Sequence, residues 1–457
     1  MNQTLTHDLA LTLQIPIRDA DRARAAIHLL DWAGCGLAAT REDVAIKLSA
    51  LADATVSGPC SVIGGTETDL LGAISVNAGL GNVLEIDDVH RGAIVHPGDT
   101  VIPVALALAE QYDLSGSALL DAIIVGYETT IRVGLAAGTG HYRHWYTTAT
   151  CGVFGAAAAA GRLMDLSQTQ LVDALGHAGM MSAGLWQCRE ELTDSKQIAT
   201  VHAATSGLLA ARFAAAGGRG PTRILEGKLG FFAAACPDPK PEQITAAAAG
   251  WKIHEVSFKP WPACRHVHPT IEAALVLKAK ISDLGSIDTV KVETYRDAVS
   301  FADNPAPDTP HAARFSLQHC TAAAFIDGTI GLEHSAAQAL SDPAISVMRA
   351  KVEVAEAADI TAKYPSLFGS RMTVVLKSGE RISHEVESAK GDPENPMTTG
   401  EIEGKARSLV TSAFNAELAE SLIRAATGVA SGQARAFGSI LRQQNPASSD
   451  GRPKLFA

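Results

Sequence analysis

The sequence predicts a mainly α protein, with a large all-helical domain and a smaller α+β lid domain. Three observations carry this. Alanine and glycine are abundant while aromatic residues make up only 5% of the chain, and small side chains let helices pack at close range. Residues from about 20 to 270 form one helix-periodic segment after another. After about residue 285 the apolar period changes from helical to two. A length of 457 residues also exceeds one ordinary core.

In chain order, Ala25–Leu37 carries apolar residues at helical spacing. Asp99 or Thr100 is placed as the cap of a helix starting near Pro103, with VALALAEQY as its apolar face. Ser117–Val133, Cys151–Met164, Ser167–Ala178, Ala199–Ala215 and Pro269–Lys280 continue the pattern, and Gly217–Pro221 punctuates it. Ile287–Thr294 alternates as a strand, and Val352–Val354 is a shorter candidate. Arg371–Lys377 and Glu380–Val386 flank Ser378-Gly379, which reads as a hairpin turn. Helices are expected between them at Leu317–Ile326 and Ser335–Leu340. GDPENP, Gly391–Pro396, is a proline-rich connector, and Thr399–Gln443 is helical again and returns to the first domain. The expected domains are therefore 1–268 with 395–457, and 269–394. The final NPASSDGRPKLFA reads as a loosely held tail.

Charge and cysteine use narrow the function classes. A formal net charge of −11, with no basic run, argues against a nucleic-acid partner. The N-terminus lacks the basic-then-apolar order of a signal peptide, and the alanine-rich run Gly152–Gly161 is about half a membrane span. No membrane association and a cytoplasmic location are expected. The seven cysteines are scattered and form no CxxC pair, so neither a disulfide framework nor a zinc site is signalled.

Four stretches carry candidate chemistry. LEIDDVHRGAIVHPGDTVIP (Leu84–Pro103) crowds Asp87, Asp88, His90 and His96 before a helix. These are candidate bases, hydrogen-bond donors or metal ligands, although a polar capping loop accounts for them as well and no HExxH-type spacing favours a metal. HYRHWYTTATCGVFGAAAAAG (His141–Gly161) sets Arg143, His144, Tyr146 and Thr148 at a helix N-terminus, where the dipole favours anions; a surface capping turn is the plainer account. In ELTDSKQIATVHAATSG (Glu191–Gly207), Lys196 stands at the mouth of a helix, either solvated or tuned by burial into a base. SFKPWPACRHVHPTIEAAL (Ser257–Leu275) gathers Lys259, Arg265, His266 and His268 around a Pro-Trp-Pro turn, as a rigid interdomain loop or as part of a cationic pocket.

The order DD-x-x…HPG-x-x-V-x-P, a GAAAAA helix, K…AA-x-x-G, K-x-x-P-x-C-R…H and GDPENP resembles the MmgE/PrpD family over nearly the whole chain. That family includes 2-methylcitrate dehydratases, cis-aconitate decarboxylase and iminodisuccinate epimerase. The resemblance implies a helical domain built from both chain ends, an α+β lid, a homodimer, and a metal-free, cofactor-free site for a small polycarboxylate. It assigns His96 to the histidine of the HP motif, Asp87 and Asp88 to the acidic pair, and Lys196 to the lysine before the AA-x-x-G helix. It places Lys259 and Arg265 at the proline-cysteine loop. Dehydratase and decarboxylase members carry a histidine six residues before the glycine of the alanine helix, where this chain has Tyr146. The acidic loop is also one residue longer than in the decarboxylase type, and Val89 replaces its threonine. Tyr146 makes the chain look like the iminodisuccinate epimerase branch.

The expected reaction is inversion of a stereocentre α to a carboxylate by two-base proton transfer. Tyr146 and Lys196 form the opposed pair and His96 assists as donor. Asp87, Asp88, Arg143, Lys259, Arg265 and His266 are the expected substrate-binding residues. Burial or a neighbouring cation is expected to keep Lys196 neutral. A hydro-lyase on a hydroxy tricarboxylate shares the first step and is the alternative. A carboxylate-binding dimer without activity is a third reading.

Overall fold

The computed structural model describes residues 4–53, 56–191, 193–247 and 250–443. The expected tail at 445–457 lies outside them. The protein is mainly α, with a smaller α+β portion. It divides into two compact units, Met1–Val256 with Thr398–Ala457, and Ser257–Met397. Among the described residues no helix is long and apolar enough to cross a membrane.

The principal helices of the first unit are α1 (Asp19–Ala39), α2 (Leu70–Leu80), α3 (Pro97–Gln111), α4 (Gly116–Ala137), α5 (Thr147–Leu163), α6 (Gln168–Met180) and α7 (Ser195–Ala215). Ser167 and Gln170 close a reciprocal capping box at the start of α6. Helix α5 is the centre of the unit: Ala156–Ala160 are fully buried, and α3, α4, α6 and α7 pack around it. The alanine and glycine content has its purpose here. A Cβ on Gly155 would overlap Thr130 Oγ1 and the Gly126 carbonyl of α4. Gly155→Ala is therefore expected to force α4 and α5 apart and cost about 1–3 kcal/mol, read as a lower denaturation midpoint.

Helix α3 starts at Pro97, six residues before the expected Pro103, with His96 as its N-cap residue. Proline is suited to the first helical turn, and α3 accommodates Pro103 in its interior. Asp99 is consequently not a cap but a buried first-turn residue.

In the second unit, α8 (His268–Lys278) precedes β1 (Ile287–Thr294), α9 (Leu317–Asp327), β2 (Val352–Glu356), β3 (Ser370–Leu376) and β4 (Arg381–Val386). The strands lie in the order β2-β1-β3-β4, with β1 and β2 parallel and the other pairs antiparallel. Val290, Val292, Met372 and Val374 face a core closed by Ile271 and Leu277 of α8 and Leu317 and Phe325 of α9. The intervening Lys291 is exposed, so the alternation expected for β1 reflects a one-sided sheet.

The chain ends the first unit with α10 (Thr399–Ala413), α11 (Ala416–Gly428) and α12 (Ala434–Leu441). Lys405 of α10 is held in the interior by Asp31 of α1 at 2.6 Å and donates to the main-chain oxygen of Ile86 at 2.6 Å. Glu110 of α3, buried beside Gly438 of α12, accepts from Ser61 N at 2.8 Å and Ser61 Oγ at 2.5 Å. Burial pushes its carboxyl up to about 7, against those two hydrogen bonds. A raised acid holds its proton longer in the folded than in the unfolded chain, so stability falls as pH rises from about 4.5 to 7. Glu110→Gln is expected to remove that fall, on the order of 3 kcal/mol, as measured by denaturant titration across this range.

Candidate active site

The acidic loop 82–96 connects α2 to α3 and takes an uncommon path. Glu85 and Ile94 have left-handed backbones, with φ of 58° and 52°, which non-glycine residues adopt only where the surroundings enforce it. Pinning points are visible. His90 N and Val95 O pair at 2.8 Å, Lys405 holds Ile86 O, and Ala93 N donates to His90 Nδ1 at 3.0 Å. His90 is thus part of the loop's own framework.

Three helix starts bring the reactive groups together. His96 ends the loop, Tyr146 is the N-cap residue of α5, and Lys196 lies in the first turn of α7. His96 Nδ1 stands 2.5 Å from Asp87 Oδ2 and 2.9 Å from the Asp88 carbonyl. The Asp88 carbonyl can only accept, so Nδ1 carries a hydrogen toward it. His96 N donates to Thr148 Oγ1 at 3.0 Å, the second residue of α5. Tyr146 is 2% exposed, and its phenol oxygen accepts from Asn82 Nδ2 at 3.1 Å. The same amide donates to Thr200 Oγ1 at 3.2 Å, one turn beyond Lys196. Lys196 Nζ lies 5.8 Å from the centre of the Tyr146 ring. Trp186 packs against the same ring, with centroids 4.7 Å apart.

The charge state of Lys196 departs from expectation. Burial alone would favour the neutral amine, but an ion pair with Glu85, together with Tyr146 and Asp87, outweighs it and raises the amine above its ordinary value. Lys196 is an ammonium. Burial raises the Tyr146 phenol above its ordinary value, while Lys196 and a Thr148 hydrogen bond act the other way. Tyr146 is therefore a protonated phenol beside a cation. Asp99, 1% exposed, is raised well above the carboxylate range by burial first and then by the charges of Asp87 and Asp88. Ligand atoms of Asp87, His96 and Asp99 lie within 4.8 Å of one another, a spacing that a divalent cation could bridge. A proton on Asp99 neutralises the same crowding.

Several expected binding residues have other partners. The Asp88 carboxylate meets His28 and Tyr127 in the interior. Asp87, 2% exposed, backs His96. Arg143 is exposed. In the second unit, Arg265 pairs with Asp392 at 2.5 Å and donates to Lys390 O at 2.9 Å, so its guanidinium holds the GDPENP connector in place. His266 Nδ1 meets Tyr295 Oη at 2.7 Å, and its ring stacks on Phe301, which makes it part of an aromatic cluster. Lys259 is buried in that unit, 2% exposed. Lys196 and Arg265, expected as free cations, thus each have a carboxylate partner within their own unit. Sequence reading also passed over Glu85, Asn82 and Thr200. Only Glu85 left a trace, as the third acid of the loop.

The sequence matches the MmgE/PrpD N-terminal domain over residues 12–244 and the MmgE/PrpD C-terminal domain over residues 261–429. The chain belongs to the MmgE/PrpD family. A cis-aconitate decarboxylase-like protein of Aspergillus oryzae is 28% identical over 430 residues, covering 87% of this chain and 88% of the relative. The cis-aconitate decarboxylase of Homo sapiens is 27% identical over 423 residues (88% and 86%), and that of Mus musculus is 26% identical over 421 residues (88% and 84%). Membership in MmgE/PrpD and these relatives support an enzyme of lyase or isomerase type.

Proposed function

We propose that this MmgE/PrpD enzyme inverts a stereocentre next to a carboxylate in a small polycarboxylate of the iminodisuccinate type, with no metal or organic cofactor. The observation that supports this most is the convergence of a carboxylate-backed imidazole, a buried phenol and an ammonium at three helix starts. The protonation states divide the roles. His96 Nε2 is the base that takes the α proton, and the electron pair of the C–H bond moves into the carboxylate. Lys196 stabilises the added negative charge of that intermediate, an interaction worth about 3 kcal/mol for one well-placed donor. Tyr146 delivers its proton to the opposite face of the carbon, leaving a phenolate beside Lys196 and an imidazolium beside Asp87. Exchange with solvent restores the starting states. The pair proposed is thus His96 with Tyr146, and Lys196 acts as the cation between them.

A carboxy-lyase is the second reading, favoured by the relatives' activity. It would use the same Tyr146 to protonate the carbon that loses carbon dioxide. A hydro-lyase shares the first step and then needs an acid beside the leaving oxygen, for which His96 or Asp88 is the candidate; the Asp88 carboxylate is held in the interior, which favours His96.

One pure stereoisomer of iminodisuccinate, incubated with the metal-stripped protein in deuterated water, decides among these. The expected result is isomer mixing with deuterium at the inverted centre. Carbon dioxide release from cis-aconitate, or a conjugated alkene rising in the ultraviolet, without mixing, would overturn the epimerase reading. The protein is proposed to work as a homodimer in the cytoplasm. The exposed Leu209 and Phe213 on α7 are apolar side chains that a second copy would cover under this proposal, and sedimentation at micromolar concentration tests it.

A further inference from the structure

His28 and Tyr127 lie far from the reactive groups in sequence and were absent from every motif. Both are fully buried. His28 of α1 places Nδ1 2.6 Å from Asp88 Oδ2, and Tyr127 of α4 donates its hydroxyl to the same oxygen at 2.7 Å. Burial depresses the His28 imidazole to about 4; of its two acceptor contacts, Asp88 at Nδ1 and the Ile253 carbonyl at 3.3 Å from Nε2, the shorter, charged one at Nδ1 takes the hydrogen of the neutral ring. One loop carboxylate is thereby clamped between two long helices. The neighbouring geometry leaves room for this clamp. Gly98, the glycine of the HPG motif, has no Cβ, and one built there would stand 2.8 Å from the Tyr127 hydroxyl and 3.1 Å from Asp88 Oδ1.

We propose that His28 and Tyr127 are positioning residues for the proton-transfer site. By anchoring the Asp88 side chain they fix the Asp88 main-chain oxygen, the acceptor that holds His96 in the form with hydrogen on Nδ1, beside the Asp87 carboxylate. The loop's own hydrogen bonds at His90 pin its middle, and Lys405 pins Ile86, but none of them reaches the Asp88 side chain. The clamp holds that side chain from outside the loop. The proposal rests on the reading of His96 as the proton-taking base, in that the tautomer matters to turnover only if Nε2 accepts the proton. It also gives the glycine of HPG a role: it admits the Tyr127–Asp88 hydrogen bond.

The test uses full-length protein with ring-15N-labelled histidine, the His96 signals being assigned by their loss in His96→Gln. Wild type is expected to show His96 protonated at Nδ1. Tyr127→Phe, which keeps the ring, and Gly98→Ala, which crowds it, are expected to shift His96 toward a mixture of tautomers. His28→Gln provides a third perturbation from the other helix. The same variants should lower kcat about tenfold to a hundredfold, the usual cost of losing an outer orienting partner, with KM nearly unchanged. A wild-type His96 protonated at Nε2, or a tautomer indifferent to all three folded variants, would overturn the proposal. The nuclear magnetic resonance readout needs no substrate. An incorrect assignment of the reaction would therefore appear separately, as the expected tautomer in a protein that exchanges no α proton.

Discussion

Replacing Lys196 by methionine is expected to lower kcat on the order of a thousandfold. The ammonium is the cation adjoining the Tyr146 ring, and it is the group that lowers the cost of a phenolate there. Without it, both the phenolate and the charged intermediate lose their counterion in a site shielded from water. The variant has a second effect, on stability. Glu85 and Lys196 each have side chains only 17% exposed, so the orphaned carboxylate should cost about 1–3 kcal/mol. The two effects separate in a double variant. Glu85→Gln with Lys196→Met removes the stranded charge and should recover most of the stability while leaving turnover as low as in the single variant. Recovery of turnover along with stability would make the lysine a structural residue. Denaturant titration and initial rates on the same preparations give both answers.

Tyr146→Phe is expected to lower kcat by roughly a hundredfold to ten-thousandfold, the range for a lost general acid, with little change in KM or stability. The substitution deletes one oxygen and keeps the ring that packs on Trp186. The Asn82 amide loses one acceptor but retains Thr200 Oγ1 at 3.2 Å, so no large penalty for an unpaired buried donor follows. A fall in stability comparable to the fall in rate would instead point to a packing role.

The contrast between these two residues shows what could be read from the chain. Tyr146 and Lys196 both stand at helix starts, and helix starts are written locally, in a polar stretch followed by an apolar period. Strand β1 was legible for the same reason: Val290 and Val292 alternate with the outward-facing Lys291. The strand β2 was fainter because most of it is not buried, and only Val352 packs fully inward. The start of α3 was misplaced because Pro103 reads as a boundary, although the true first-turn proline is Pro97. That shift hid Asp99, which passed for a cap and is instead a buried acid beside Asp87.

Charge states were harder to read than positions. Whether Lys196 is neutral depends on Glu85, 111 residues away and carried on a loop in a left-handed conformation. No periodicity reports such a contact. Arg265 was found by motif, but its partner Asp392 belongs to the GDPENP connector, 127 positions later by subtraction of the two residue numbers. A cation in a motif was therefore a good guide to an important residue and a poor guide to what it binds. The Asp88 clamp is the extreme case, because its two donors sit in helices that carry no motif.

The division of labour between His96 and Tyr146 is tested most directly by isotope exchange without inversion. Each stereoisomer of iminodisuccinate is incubated in deuterated water with His96→Gln and with Tyr146→Phe, and deuterium at the α carbon is followed separately from isomer conversion. The account predicts a split. Tyr146→Phe should still wash deuterium into the isomer whose α proton faces His96, without inverting it, while His96→Gln should lose that exchange. Equal exchange of both isomers by both variants, or inversion surviving in either at the wild-type rate, would contradict it.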